Sequence, residues 1–294
     1  MCSTLTQCIS LKRNLLIYIW LFLAPLASLC AQPVAYVSSV EKKAFALAKN
    51  ASPENLFMLL LASDPQMTHE KVSHLQQQLH SFILHLQEKK HQFASEKKYL
   101  HWVVQEVRNQ YLHDYELYPS FHQLFANGTY NCLSGTALYG LILQKLNYQV
   151  EIHETAFHAY LIIHTPKRKI LLDATDAENG FAYYAYQIQA REALYRENER
   201  ARYQPAFNRV IDFYELAGLH YYNEGIIQFN AQNYTASLNY LEKAAQLYPR
   251  SERIQHLQAN ALQSQQRFEA SQVTRRSNKP KGISAVQTNE SAHK

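Results

Sequence analysis

Apolar residues recur at helical spacing through most of the chain, switch to alternation over a short central stretch, and then return to helical spacing. Residues 35–63 carry Phe45, Leu47, Leu56, Leu59, Leu60 and Leu61, with a stop and restart at Asn50-Ala51-Ser52-Pro53-Glu54. Ser52 can cap the second helix, and Pro53 suits its first position. Over 67–93, Val72, Leu75, Leu79, Ile83 and Leu86 repeat every three or four residues and predict one long helix. A further helix over 96–112 places Leu100, Val103, Val104, Val107 and Tyr111 on one face, with Ser95 as its cap. Residues 113–131, with three Tyr, Pro119 and Gly128, read as a linker. The helix that follows opens at Cys132, shows Ala137, Leu138, Leu141, Ile142 and Leu146 on its apolar side, and can end at Asn147 in the left-handed conformation.

The period then changes to two. Val150 and Ile152 alternate with Gln149, Glu151 and His153; Phe157 to His164 gives a second strand; Thr165 to Lys169 turns; Ile170 to Thr175 gives a third. A helix followed by a short antiparallel meander is an α+β pattern. After residue 187 the spacing is helical again. The stretch 185–203 is expected to flank a helical pair over 218–251, with 253–269 as a further half-repeat. Residues 272–294 hold almost no large apolar group and read as disordered.

Composition sharpens this outline. Glycine is scarce (7 residues) and tyrosine abundant (21), which suits a helix-dominated chain. The formal charge of +5 does not describe a folded basic face. Lys12, Arg13, Arg275, Arg276, Lys279 and Lys281 lie near the ends, and without them the chain is close to neutral, so no nucleic-acid footprint is present. Lys12 and Arg13 precede the apolar run Leu15–Leu29, and small residues lead to a cleavage position after Ala31, the pattern of a secretory signal over residues 1–31. Export to a periplasm or cell envelope is expected, with membrane attachment only if the signal is retained or Cys30 is lipidated.

Export gives the cysteines their meaning. Cys2, Cys8 and Cys30 lie in or before the signal, so Cys132 is the one thiol of the mature chain and has no intrachain disulfide partner. A thiol attacks a carbonyl as thiolate, which a helix N-terminus and a nearby imidazolium favour. The imidazole needs a partner that fixes its tautomer. Cys132 opens a helix, His158 opens a strand, and Asp173 follows fifteen residues later across a hairpin. His158, Tyr160 and Ile162 share one face. Asp173 joins them for one register parity, and a one-residue slip offers Asp176 instead. The oxyanion candidates are the backbone N–H of Cys132, with Asn131 and Tyr130 beside it. Tyr139 and Tyr160 are expected to line the cleft. The histidines at 69, 74, 80, 85 and 91 are spaced by five and six, which does not gather ligands on one helical face, so no metal is expected. No cofactor is expected either.

Asn131-Cys132 opening an apolar helix, then Phe157-His158-Ala159-Tyr160, then Ile170-Leu171-Leu172-Asp173-Ala174-Thr175, resembles the transglutaminase-like domain of the papain-type cysteine enzymes, over about residues 96–180. Residues 218–251 resemble one tetratricopeptide repeat, with Tyr221, Gly225, Tyr234, Ser237, Leu241, Ala244 and Pro249 at its marker positions. The resemblance implies a nucleophilic Cys132, a general acid/base His158 and an orienting Asp173. It implies a helical N-terminal region (32–95), a papain/transglutaminase-like core with a small antiparallel sheet (96–186), a tetratricopeptide-like region (187–270) and a disordered tail (271–294). The expected substrate is a protein or peptide, with a protein partner docking on the helical repeat. A fold kept without turnover, serving as a binding scaffold, is the competing expectation.

Overall fold

Short polar caps set where most helices begin. In the computed structural model, which describes residues 35–48, 52–202 and 207–277, Ser38, Ser52, Thr68 and Ser95 each accept a backbone N–H three residues on. They start α1 (Ser39–Leu47), α2 (Pro53–Leu61), α3 (His69–Lys89) and α4 (Glu96–Tyr111). Such caps satisfy N–H groups that the helix itself leaves unpaired. The five histidines of the 67–93 stretch are exposed, as a polar face requires. Among the described residues no cluster of His, Cys, Asp and Glu is arranged to hold a metal ion.

The 113–131 segment is more ordered than a linker. It holds β1 (Asp114–Tyr115), a single turn α5 (Gln123–Ala126) and β2 (Thr129–Tyr130), with β1 and β2 pairing in parallel. Next comes α6 (Cys132–Lys145), in which every residue from Leu133 to Leu143 is buried. It ends as anticipated, with Asn147 at φ 64°. This central helix packs on β3 (Gln149–Thr155) and β4 (Ala159–His164) on one side and on α2 on another.

The sheet has five antiparallel strands rather than three. β5 (Lys169–Leu172) and β6 (Phe181–Ala182) extend it past β4, and β7 (Asn208–Ile211) adds to the other edge beside β3. Alternation divides its side chains. Leu161, Ile163, Ile170 and Leu172 join the main core. Tyr160, Ile162, Leu171 and Ala182 pack on the opposite face against Ile188 and Tyr195. Those two residues belong to α7 (Ala185–Arg202), which lies against β5 and β6. The 185–203 stretch therefore covers the sheet instead of flanking the helical pair.

The C-terminal region is helical: α8 (Phe213–Asn230), α9 (Tyr234–Leu247) and α10 (Glu252–Ser277). Asp212 and Glu215 form a capping box at the start of α8. Ser237 donates to the carbonyl of Gly225 at 2.8 Å, pinning α8 to α9. α10 runs to Ser277, so the polar stretch 271–277 is helical, against the sequence expectation; no Pro or Gly interrupts it. The signal and residues 278–294 lie outside the described residues. One face of the α8–α9 pair is taken by the chain's own α1. Glu41 and Lys243 form a fully buried ion pair at 2.9 Å, and Phe45 meets Tyr221 edge-on. Among the described residues no helix is long and apolar enough to cross a membrane.

Candidate active site

The capping box that starts α6 also places the thiol. Asn131 Oδ1 accepts the Ser134 N–H at 2.9 Å, and Ser134 Oγ accepts the Asn131 N–H at 2.9 Å. Cys132 is the first residue of the helix and stays partly exposed. Its N–H is one of the four that an α-helix leaves without an internal acceptor, at the positive end of the macrodipole.

His158 sits at the end of the short turn between β3 and β4. Thr155 closes this turn: its N–H donates to the His158 carbonyl at 2.8 Å, and its hydroxyl accepts the His158 N–H at 3.1 Å. Two other elements hold the same turn. Glu199 of α7 accepts the Ala156 N–H. Arg253 of α10 donates to the carbonyls of Thr155 and Ala156 at 2.8 and 3.0 Å and pairs with buried Glu154 at 3.2 Å.

Asp173 follows directly on β5. The register pairs Leu161 with Leu172, so Tyr160 stands opposite Asp173, the parity that puts Asp173 on the face of His158. Two glycines allow the approach. A Cβ on Gly135 would lie 2.6 Å from the Ala174 side chain, so only glycine lets the loop after Asp173 reach the first turn of α6. A Cβ on Gly180 would lie 2.3 Å from the carbonyls of Asp173 and Asp176, whose loop folds back on itself there. Arg108 of α4 fixes the loop further by donating to the Ala174 carbonyl at 2.9 Å.

Three elements thus bring together the three residues singled out from sequence. His158 Nε2 lies 2.9 Å from Asp173 Oδ2, off the ring's N–H axis, so the contact is an ion pair more than an in-line hydrogen bond. Cys132 and His158 line the same cleft, and the thiol acts on the ring electrostatically. Burial opposes a charge on His158, but Asp173 and Cys132 outweigh it and push the imidazole up to about 10. Burial likewise opposes a charge on Asp173, and His158 first, then Tyr195 and the Thr175 N–H, overcome it, holding the carboxyl well below the ordinary range. The donors are many: Tyr195 Oη at 2.6 Å, Arg191 at 3.2 Å, and the Thr175 N–H and hydroxyl at 2.9 and 2.8 Å.

The other sequence candidates separate. Asp176 pairs with Arg191 at 2.7 Å and accepts the N–H groups of Glu178 and Asn179, so it is not the partner of His158. The Asn131 side chain is engaged at both ends: its Oδ1 caps α6, and one of its two Nδ2 hydrogens goes to the Leu117 carbonyl at 3.0 Å. Tyr130 is buried in β2, and its ring meets Tyr115 edge-on at 6.0 Å. Tyr139 and Tyr160 do not line the cleft: both are fully buried, with Tyr139 donating to the Val104 carbonyl and Tyr160 accepting from Asn208. Of the oxyanion candidates, Asn131 and Cys132 line the cleft beside His158, and Tyr130 is not among its lining residues.

Sequence reasoning missed Arg191, Tyr195 and Arg253, which lie far along the chain and carry no local motif. It also missed Tyr115, which lines a cleft of about 720 Å³ together with Cys132 and His158. The opposite wall of this cleft comes from α8 and α10. Another histidine near this region, His220, is buried and pushed down to about 4 by that burial, so it is a neutral core residue.

No family model matches this chain, and no curated protein or solved structure does either.

Proposed function

We propose that this chain is a thiol-dependent acyl-transfer enzyme acting on amide or peptide bonds, of the transglutaminase-like branch of the papain-type enzymes. The observation that carries the reading is that Cys132 and His158 line one open cleft, with buried Asp173 2.9 Å from the imidazole. With Nε2 turned to Asp173, Nδ1 is the nitrogen left for the thiol. A thiolate formed there lies between an imidazolium and a helix N-terminus, the two agents that favour a sulfur anion. Its Sγ attacks the carbonyl carbon, and the carbonyl oxygen takes up negative charge facing the Cys132 N–H. His158 delivers its proton to the leaving amine as the C–N bond breaks, and a thioester remains. Water then gives a peptidase or amidase, and a second amine gives a crosslinked product.

The surrounding parts of the reading follow. Residues 96–186 form the transglutaminase-like core, the α8–α9 pair is the tetratricopeptide-like element, and the chain is exported to the periplasm or cell envelope by the signal over 1–31. The test is covalent labelling with a thiol-directed acyl probe on wild type and on Cys132→Ala. Labelling that vanishes in the variant is the expected result. Labelling that persists refutes a nucleophilic Cys132 and leaves the scaffold function in its place.

A further inference from the structure

Helix α8 borders two cavities. Its Leu219, Tyr222 and Ile226 line the cleft beside Cys132, and its Glu224 and Ile227 line a second cavity of about 740 Å³. Tyr118 borders both, and none of Cys132, His158 and Asp173 lines the second. Two carboxyls face this space with one imidazole between them. Asp64, 7% exposed, accepts the Gln66 N–H at 2.8 Å and lies 2.5 Å from His122 Nδ1, which is also 2.9 Å from Ser120 Oγ. Lys71 of the same wall donates its Nζ to the Gln66 carbonyl at 3.0 Å. Glu224, half-buried on α8, is left out: it feels Asp64 and His122 across space, and among the described residues no hydrogen bond or ion pair reaches its carboxyl. Burial and Asp64 accordingly push it up to about 7, the state of a carboxyl without a compensating cation.

A bound ammonium or guanidinium group supplies that countercharge, and its N–H groups give Glu224 the donors it lacks. The remaining wall tells what carries the group. Met67, Leu75, Phe125 and Ile227 offer apolar surface that a hydrated metal ion leaves unused. Among the described residues no cluster of His, Cys, Asp and Glu is arranged to hold a metal ion. We infer that this cavity is a second ligand site, separate from the thiol cleft, for an organic cation: an ammonium or guanidinium group on an aliphatic or aromatic stem, with Glu224 as its charge partner. The site stands independently of the acyl-transfer reading. Its chemistry occurs on free amines and on the Lys and Arg side chains of peptides.

The experiment is titration calorimetry on the full chain carrying Cys132→Ala, so that no acyl transfer intervenes. The probes are hexylammonium and Nα-acetyl-lysine N-methylamide. 1-Hexanol and hexanoate control for the charge, and methylammonium controls for the stem. The expected result is that at least one of the two amine probes binds about tenfold or more tighter than all three controls. Glu224→Gln, which keeps the side-chain shape, should remove the preference over 1-hexanol. Tighter binding of hexylammonium assigns the site to free amines, and tighter binding of the lysine amide assigns it to peptide side chains. Equal affinity for amine and alcohol overturns the cation site, and so does a preference that survives in Glu224→Gln. Failure of both amines to bind overturns it as well, while labelling of Cys132 in the wild-type chain remains a separate measurement.

Discussion

Replacing Asp173 by Asn removes a charge while keeping the shape of the side chain, so it isolates the electrostatics of the site. In the wild type, burial pulls the His158 proton off, and the Asp173 and Cys132 contacts hold it on, with a net rise from 6.5 to about 10. Without the anion, Cys132 alone opposes burial, and the imidazole should titrate well below its wild-type value. Arg191 keeps its contact with Asp176 at 2.7 Å, so the variant does not strand that cation. The stability effect has a defined pH window. The folded pKa of His158 is raised, so its contribution is complete below 6.5 and is lost as pH rises toward about 10. The folded pKa of Asp173 is lowered, so its contribution is present above 3.8 and is lost as pH falls through the depressed folded value. The contacts of His158 with Asp173 and Cys132, counted once, contribute on the order of a few kcal/mol on the plateau between those limits. The assay is an NMR titration of ¹³C-labelled histidine, with urea unfolding of both proteins at pH 5.5, 7.5 and 9.5. The wild-type excess in stability should be largest at pH 5.5 and small at pH 9.5. A wild-type His158 that titrates near 6.5, or a stability gap that ignores pH, refutes the reasoning.

Three other substitutions probe the frame around the site. Arg253→Ala removes two carbonyl contacts and one of the partners of Glu154, which keeps Tyr248; it should cost about 1–3 kcal/mol and speed hydrogen exchange at the Thr155 and His158 amides. Unchanged exchange there would show that α10 does not hold the turn. Lys243→Met strands Glu41 in a fully buried place and should cost about 3–5 kcal/mol by urea unfolding, with most of it recovered in the Glu41→Gln/Lys243→Met double variant. A double variant as weak as the single one contradicts the charge argument. The Glu224 carboxyl is pushed up to about 7 by burial and by Asp64, so ionising it opposes folding as pH rises from 4.5 toward 7. Glu224→Gln should therefore stabilise the protein by about 1–3 kcal/mol at pH 8 and leave it unchanged at pH 4.5; a thermal melt at the two pH values decides.

Much of the site was readable because its signals are local. The cap before Cys132, the alternation around His158 and the strand leading to Asp173 each occupy a few consecutive residues. The parity that links the last two is a single binary choice, and β4 and β5 pair in the favourable register. What escaped depends on distant pairing. β7 is four residues, Asn208 to Ile211, and becomes a strand only because the β3 edge is there to receive it. β1 and β2 are two residues each, too short for any periodicity. Arg191 and Tyr195 lie on a polar helix with an ordinary charge pattern, and nothing in their neighbours marks them as ligands of Asp173. The tail shows the opposite error: composition argued against order, yet the unbroken helical run of α10 carries it through Ser277.

The ion pair between α1 and α9 joins residues 202 positions apart, and Arg253 reaches back 98 and 97 positions to the turn that carries His158. Local helices can form while the chain emerges from the ribosome, but these closures cannot. A nascent chain that stops short of Lys243 already holds Cys132, His158 and Asp173 and lacks both of these ties, of which Arg253 holds the turn that carries His158. Completion of the last helices is then the event that joins a collection of early-formed parts into the final fold, and folding should be correspondingly slow.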